Sequence, residues 1–220
     1  MSIDQIKATA LSRRGFLAGT GVLALGAVAA ACGSSSKSSS GSSDTTAAAT
    51  ATTAAAKVSA GDAKVATTAA GLEFLAVGTY KAALDAATAG KIGTVAPAVA
   101  TFVQTAMDHH QQALDKWNSI LTSNGAPAVS APPADLKAKV DTEFAAVKNQ
   151  AGAAKLALLL ETIAAETYLA ALPSIENKDA ILVAAQLQVV DQEHAAILHF
   201  VLGEYPVPDV FQKTDMAYAG

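Results

Sequence analysis

Thirteen residues running from Leu72 to Leu84 (Leu-Glu-Phe-Leu-Ala-Val-Gly-Thr-Tyr-Lys-Ala-Ala-Leu) return 88 positions later. The second copy, Leu160 to Leu172, reads Leu-Glu-Thr-Ile-Ala-Ala-Glu-Thr-Tyr-Leu-Ala-Ala-Leu, and eight of the thirteen positions are identical. Alanines match by chance in so alanine-rich a chain; the shared Leu-Glu, Thr-Tyr and closing Leu are harder to dismiss. The two copies therefore read as equivalent halves of a two-fold arrangement. In each copy Glu precedes Tyr by seven residues, Glu73 before Tyr80 and Glu161 before Tyr168. Seven residues are two helical turns within about 20°, so each pair shares one helix face. That face also carries Ala76 and Leu84 in one copy, and Ala164 and Leu172 in the other, which points both glutamates at a core. An unpaired carboxylate is costly there. A metal ion, a proton or a hydrogen bond from Tyr would satisfy it.

From Asp62 onward apolar residues recur at three- and four-residue steps, and no stretch alternates over strand lengths. The spacing predicts a first long helix from near Asp62 to Gly90. A second is capped by Thr94, carries Pro97 in its first turn and stops at Asn124-Gly125. Residues 126–133 hold three prolines and form a non-helical connection. A short crossing helix follows from about Ala134 to Asn149. The third long helix runs from about Gly152 to Leu172, closed by Pro173, and Asn177 caps a fourth that reaches about Gly203. The expected fold is all-α: two short-looped hairpins, joined by a long crossover containing a short helix, in a four-helix bundle over residues 61–212, with a tail at 213–220. Aromatics make up only 5% of the chain, so the core must close on small side chains.

The second and fourth long helices supply nitrogen donors. Asp191 and His194, three residues apart, lie in line with Ala184, Leu187, Leu198 and Val201, which makes theirs the inner surface. In the second helix His110 continues a stripe of Val103, Met107, Leu114, Trp117 and Leu121. His109 continues the neighbouring stripe of Phe102, Ala106, Ala113 and Ile120. At least one of the two faces inward; the pattern leaves open which. Glu166 and Glu193 read as solvated, His199 as structural or exposed, and Trp117 as core. Nothing points to nucleophilic catalysis: there is no Gly-x-Ser-x-Gly and no phosphate-binding glycine loop.

Ahead of the bundle, Ser12-Arg13-Arg14-Gly15-Phe16-Leu17 resembles a twin-arginine export motif. Gly15 to Ala31 is short and only mildly apolar for a membrane span, which suits a signal segment. It ends Ala29-Ala30-Ala31-Cys32-Gly33-Ser34, which resembles a lipoprotein processing site, with Ala29 where Leu is commonest. The chain's one cysteine, Cys32, falls where the lipid would attach. Residues 1–31 are thus expected to be a signal peptide. Residues 32–60 follow as the lipidated cysteine and a Ser/Thr/Ala tether that lacks the apolar surface to order itself. The expected location is the outer face of the cytoplasmic membrane, reached through the twin-arginine export machinery and held by the N-terminal lipid. By resemblance, that route carries proteins that fold before export, often with a cofactor loaded. Without residues 1–31 the net charge moves from −4 to −6. A mildly acidic domain with no basic stripe argues against nucleic acid as a partner.

Over roughly residues 60–212 the chain resembles ferritin-like proteins of the bacterial exported type. In that superfamily a di-iron or di-manganese centre takes a Glu from each of two helices and a Glu-x-x-His from each of the other two. Glu73 and Glu161 match the single glutamates, and Asp191-Gln192-Glu193-His194 matches one pair with Asp for Glu. Tyr80 and Tyr168 resemble the tyrosines that bond to ligand carboxylates. The second helix departs from the pattern. Met107 lies three residues before His110, and in a shifted register His109-His110-Gln111-Gln112 offers only Gln112, a poor ligand that is expected beside the metal ions rather than on them. The resemblance therefore implies iron or manganese, with a degenerate or mononuclear centre as an alternative. The implied chemistry is that of a non-haem metal oxidoreductase or of metal sequestration, in a monomer or dimer. The competing reading is a metal-free bundle acting as a cell-envelope binding or structural module.

If the N-terminal reading holds, Arg13→Lys/Arg14→Lys leaves the full-length precursor in the cytoplasm, and Cys32→Ser alone abolishes labelling by a radioactive fatty acid. Fractionation and labelling in the same cells check both.

Overall fold

The computed structural model describes residues 58–220. The segments assigned from sequence to the signal peptide, with Arg13 and Arg14, to Cys32 and to most of the tether lie outside the described residues. Within them the chain forms α1 (Ala60–Thr88), α2 (Pro97–Ser123), α3 (Ala134–Ala146), α4 (Gln150–Ala171), a 3-10 turn (Leu172–Ser174) and α5 (Lys178–Val201). The described residues contain no strand.

Local chemistry sets most of these boundaries. Ser59 caps α1 by accepting from the Asp62 N–H at 3.1 Å, and Asn177 caps α5 by accepting from the Asp179 and Ala180 N–H groups. Two expectations change. The cap of α2 is Ala96 rather than Thr94, because Pro97 takes the first helical position, where its missing N–H costs nothing. Asn149 does not end the crossing helix, which stops at Ala146; its side chain accepts from the Gly152 N–H at 2.9 Å and starts α4. Gly125, at φ 80°, turns the chain out of α2 as the Asn-Gly signal predicted.

α1 packs along α2 and α4 along α5, giving the two hairpins; α1 also faces α4, and α2 touches α5. α3, in the crossover, lies on α4. One end of the bundle closes around Trp117, Leu121 and Tyr168, which interleave with Ala66, Ala69, Ala70 and Ala184. These alanines let the helices approach until the one tryptophan fills the space between them. A second cluster of Leu72, Leu75, Leu136, Val140 and Leu156 holds α3 against the bundle. Gly71 sits where the crossover presses in: a Cβ there would meet Pro133 Cδ at 3.1 Å.

Two polar contacts were not foreseen. Asp62 is buried, and its carboxylate accepts from the Glu176 and Asn177 N–H groups, both at 2.9 Å. It ties the start of α1 to the turn before α5. Glu166, read from sequence as solvated, is also buried. It accepts from the Met216 N–H at 2.6 Å, while Thr167 Oγ1 accepts from the Tyr218 N–H. The residues expected to be a C-terminal tail dock on α4, and that docking covers Glu166.

Asp62→Ala leaves two part-buried N–H groups without their acceptor and is expected to cost about 1 kcal/mol. Urea unfolding checks this; a loss within error would show that water replaces the carboxylate.

Candidate metal centre

The two sequence repeats meet by exchanging partners. Tyr80 of α1 donates to Glu161 Oε1 of α4, and Tyr168 of α4 donates to Glu73 Oε1 of α1 at 2.5 Å. Each tyrosine thus holds the other repeat's glutamate, as a two-fold arrangement of α1 and α4 requires. Glu73 and Glu161 are 1% and 2% exposed, so these hydrogen bonds replace the water the carboxylates have lost. Burial, and the glutamate each one faces, push the pKa of both tyrosines well up, which keeps them as donors. Trp117 Nε1 donates to Tyr168 Oη at 2.9 Å, so the core tryptophan also fixes one of the pairs.

His110 is the inward histidine of α2 and is buried. Its Nδ1 lies 2.7 Å from Glu73 Oε2 and its Nε2 3.1 Å from Glu161 Oε1, so it bridges the two glutamates. Burial alone would lower its pKa. The carboxylates of Glu161 and Glu73 outweigh that and raise it well above the usual histidine value. Glu161 responds in kind: burial pushes it up, but His110 and His194 draw it down to about 2.

α5 adds Asp191 and His194, both buried. His194 Nδ1 lies 3.3 Å from Glu161 Oε2, and its Nε2 lies 3.1 Å from His109 Nδ1. The His109 ring stacks on that of His194 with centroids 5.3 Å apart, on the solvent side of the pair. Partial burial, with His194 and His110 nearby, lowers the His109 pKa. Phe102 meets Tyr80 and His194 edge-on and screens the pair from one side.

Asp191 stands apart. Its Oδ2 is buried and has no hydrogen-bond partner. Burial, then repulsion from Glu73 and Glu161, raises its pKa well above the carboxylate range. His110, Glu161, Asp191 and His194 each offer one donor atom, and the four atoms lie within 4.8 Å of one another. Two imidazoles and two carboxylates converging in this way fit a divalent transition metal, and the unpartnered Asp191 oxygen is the atom a cation would satisfy.

Of the residues expected as metal ligands, four form this group. Glu73 lies behind it, engaged with His110 and Tyr168, and His109 lies behind His194. Hydrogen bonds at this remove orient metal-binding imidazoles in general. Gln112 does not belong to the site. It is exposed and donates to the Asp108 carbonyl, because two residues past His110 is about 200° round the helix. Met107 is half-buried one turn before His110, so α2 brings no carboxylate to the centre. Trp117 and Phe102, read from sequence only as apolar, flank the centre, and the exchanged Tyr–Glu pairing was visible only as a shared spacing.

A family model of ferritin-like domains matches residues 61–204. No curated protein matches the chain.

Asp191→Asn separates the chemistry of the centre from its stability. A carboxyl whose folded pKa is raised weakens the fold as pH climbs from its unfolded value, about 3.9, towards the folded one. Metal-free Asp191→Asn protein is therefore expected to melt higher than the parent at neutral and alkaline pH, by about 2–4 °C for each kcal/mol relieved. The gap should close in acid. Melting curves across pH check it; a variant less stable than the parent at every pH would show that Asp191 has a partner after all.

Proposed function

Because the chain belongs to the ferritin-like family, whose model spans most of its helical part, we propose that it is a membrane-tethered, extracytoplasmic ferritin-like protein with a non-haem iron or manganese site. The observation that carries this reading is the convergence of His110, Glu161, Asp191 and His194, buried and from three different helices, with the Asp191 Oδ2 left unpartnered. A bound iron or manganese ion would supply one-electron redox chemistry there, in the service of metal oxidation, peroxide removal or sequestration. The chain's own residues do the rest. Glu73 and Tyr168 hold His110, Tyr80 holds Glu161, and Phe102 restricts water. A doubly protonated His110 and a metal ion compete for the same place between the carboxylates, so metal uptake releases a proton and weakens in acid. The single carboxylate lost at Met107 favours one ion over two.

A specific observation also supports a metal-free envelope module. His110 already bridges Glu73 and Glu161, so most of the buried charge is paired within the protein. Asp191 is what that reading leaves unexplained.

Metal analysis of the full chain, purified without chelators, decides between them. The expected result is about one iron or manganese per chain, lost in Glu73→Ala/Glu161→Ala. Protein that is metal-free and also refuses added iron, manganese and zinc would sink the metal reading.

A further inference from the structure

An apolar slot runs inside the bundle from the centre towards the α1–α2 turn. Its inner end is formed by Glu73, Tyr80, His110 and Glu161, and its outer end by Ala87, Val95 and Ala153. From Glu73 to Ala87 is about 20 Å along α1. Between the ends the walls are carbon, with alanines such as Ala76, Ala83, Ala100 and Ala157 set among Leu84 and Phe102. The two polar side chains on the way are already engaged. Thr79 Oγ1 donates to the Leu75 carbonyl at 2.8 Å, and Gln150 Oε1 accepts from the Ala96 N–H.

The room inside for atom centres is about 70 Å3. That small volume between closely set walls suits a slender chain better than a bulky ligand. The alanines explain why it exists. At the opposite end of the bundle Ala66, Ala69 and Ala70 face Trp117, which is fully buried and fills the space they leave. Around the slot no such side chain fills the space between the alanines.

We infer that the slot binds a linear hydrocarbon tail, with its terminal methyl against Tyr80 and His110 and its polar head in water at the outer end. Carbon walls offer a tail the transfer free energy of its methylenes and offer a polar group nothing. At the inner end Glu73, Glu161 and the His110 ring are already paired with one another, so a polar head finds no partner there and enters last. The inference requires no metal; it places a lipid-derived chain beside whatever chemistry the centre performs.

The test uses the full chain stripped of metal with a chelator, so that its outcome is independent of the metal content. Saturable binding of cis-parinaric acid, a fluorescent linear fatty acid, is the primary readout. Unlabelled saturated acids and the matching alcohols then displace it. Affinity is expected to rise about fourfold per methylene until the slot is full and then level off. Acid and alcohol of equal length should compete alike, because the head stays outside. Ala157→Phe, which fills the slot one helical turn from Glu161, is expected to weaken binding at least about tenfold, and Ala83→Leu, a milder plug, to shorten the chain at which affinity levels off. Circular dichroism confirms that each variant is folded. Three results would overturn the inference: no saturable binding, unchanged binding in both folded plug variants, or binding lost on Phe200→Ser/Phe211→Ser, which removes exposed apolar surface elsewhere.

Discussion

The protein is organised around one buried polar contact, the exchange in which Tyr80 holds Glu161 and Tyr168 holds Glu73. Two carboxylates deep inside a helical bundle are untenable unless each keeps its hydrogen bonds, and here each takes its tyrosine from the opposite hairpin. Neither hairpin can satisfy its own glutamate, so the hairpins must dock, and in one register. His110 then inserts between the two carboxylates and supplies positive charge. Buried networks of this kind contribute more to specifying an arrangement than to net stability, since replacing them with apolar groups can be neutral or better. Their value lies in fixing where α1, α2 and α4 stand relative to one another.

Alanine is what makes the exchange geometrically feasible. Small residues on α1, α4 and α5 bring the helices close, and one large side chain then fills the space at one end. Trp117 plays that part and reaches further, donating to Tyr168 and so reaching Glu73 through a single intervening hydroxyl. The apolar core and the polar centre are therefore one structure. A change at Trp117 would be felt both as a cavity and as a misplaced carboxylate.

Much of this was legible in the sequence, for reasons that can be named. The repeat with its Glu-to-Tyr spacing announced two equivalent helices, and a period of seven leaves no doubt which residues share a face. The Asp191 and His194 pair was equally plain, because Ala184, Leu187, Leu198 and Val201 lie in line with it. The second helix was not. His109 and His110 each continue an apolar stripe, and a difference of about 100° in direction is resolved only by where the partner helices lie. Glu166 and Asp62 failed for another reason. Both are buried by segments far away in the chain, the tail at Met216 and the turn at Glu176, and no local period registers such a contact. Gln112 was drawn in by matching a family pattern to a helix that departs from it; its own position on the helix argued the other way.

The departure at α2 makes the centre lopsided. α4 and α5 bring Glu161, Asp191 and His194, while α1 and α2 contribute one ligand-ready donor, His110, with Glu73 spent on holding it. Asp191 bears the consequence. It faces two other carboxylates with only one cationic neighbour, which the pair already shares, so its ionised form is the one the protein alone disfavours. A fold selected for stability alone would place an amide or an apolar residue there, and both are small chemical changes from aspartate. A buried carboxyl without a hydrogen-bond partner, held beside two imidazoles in an otherwise satisfied network, is compatible with a place for a cation.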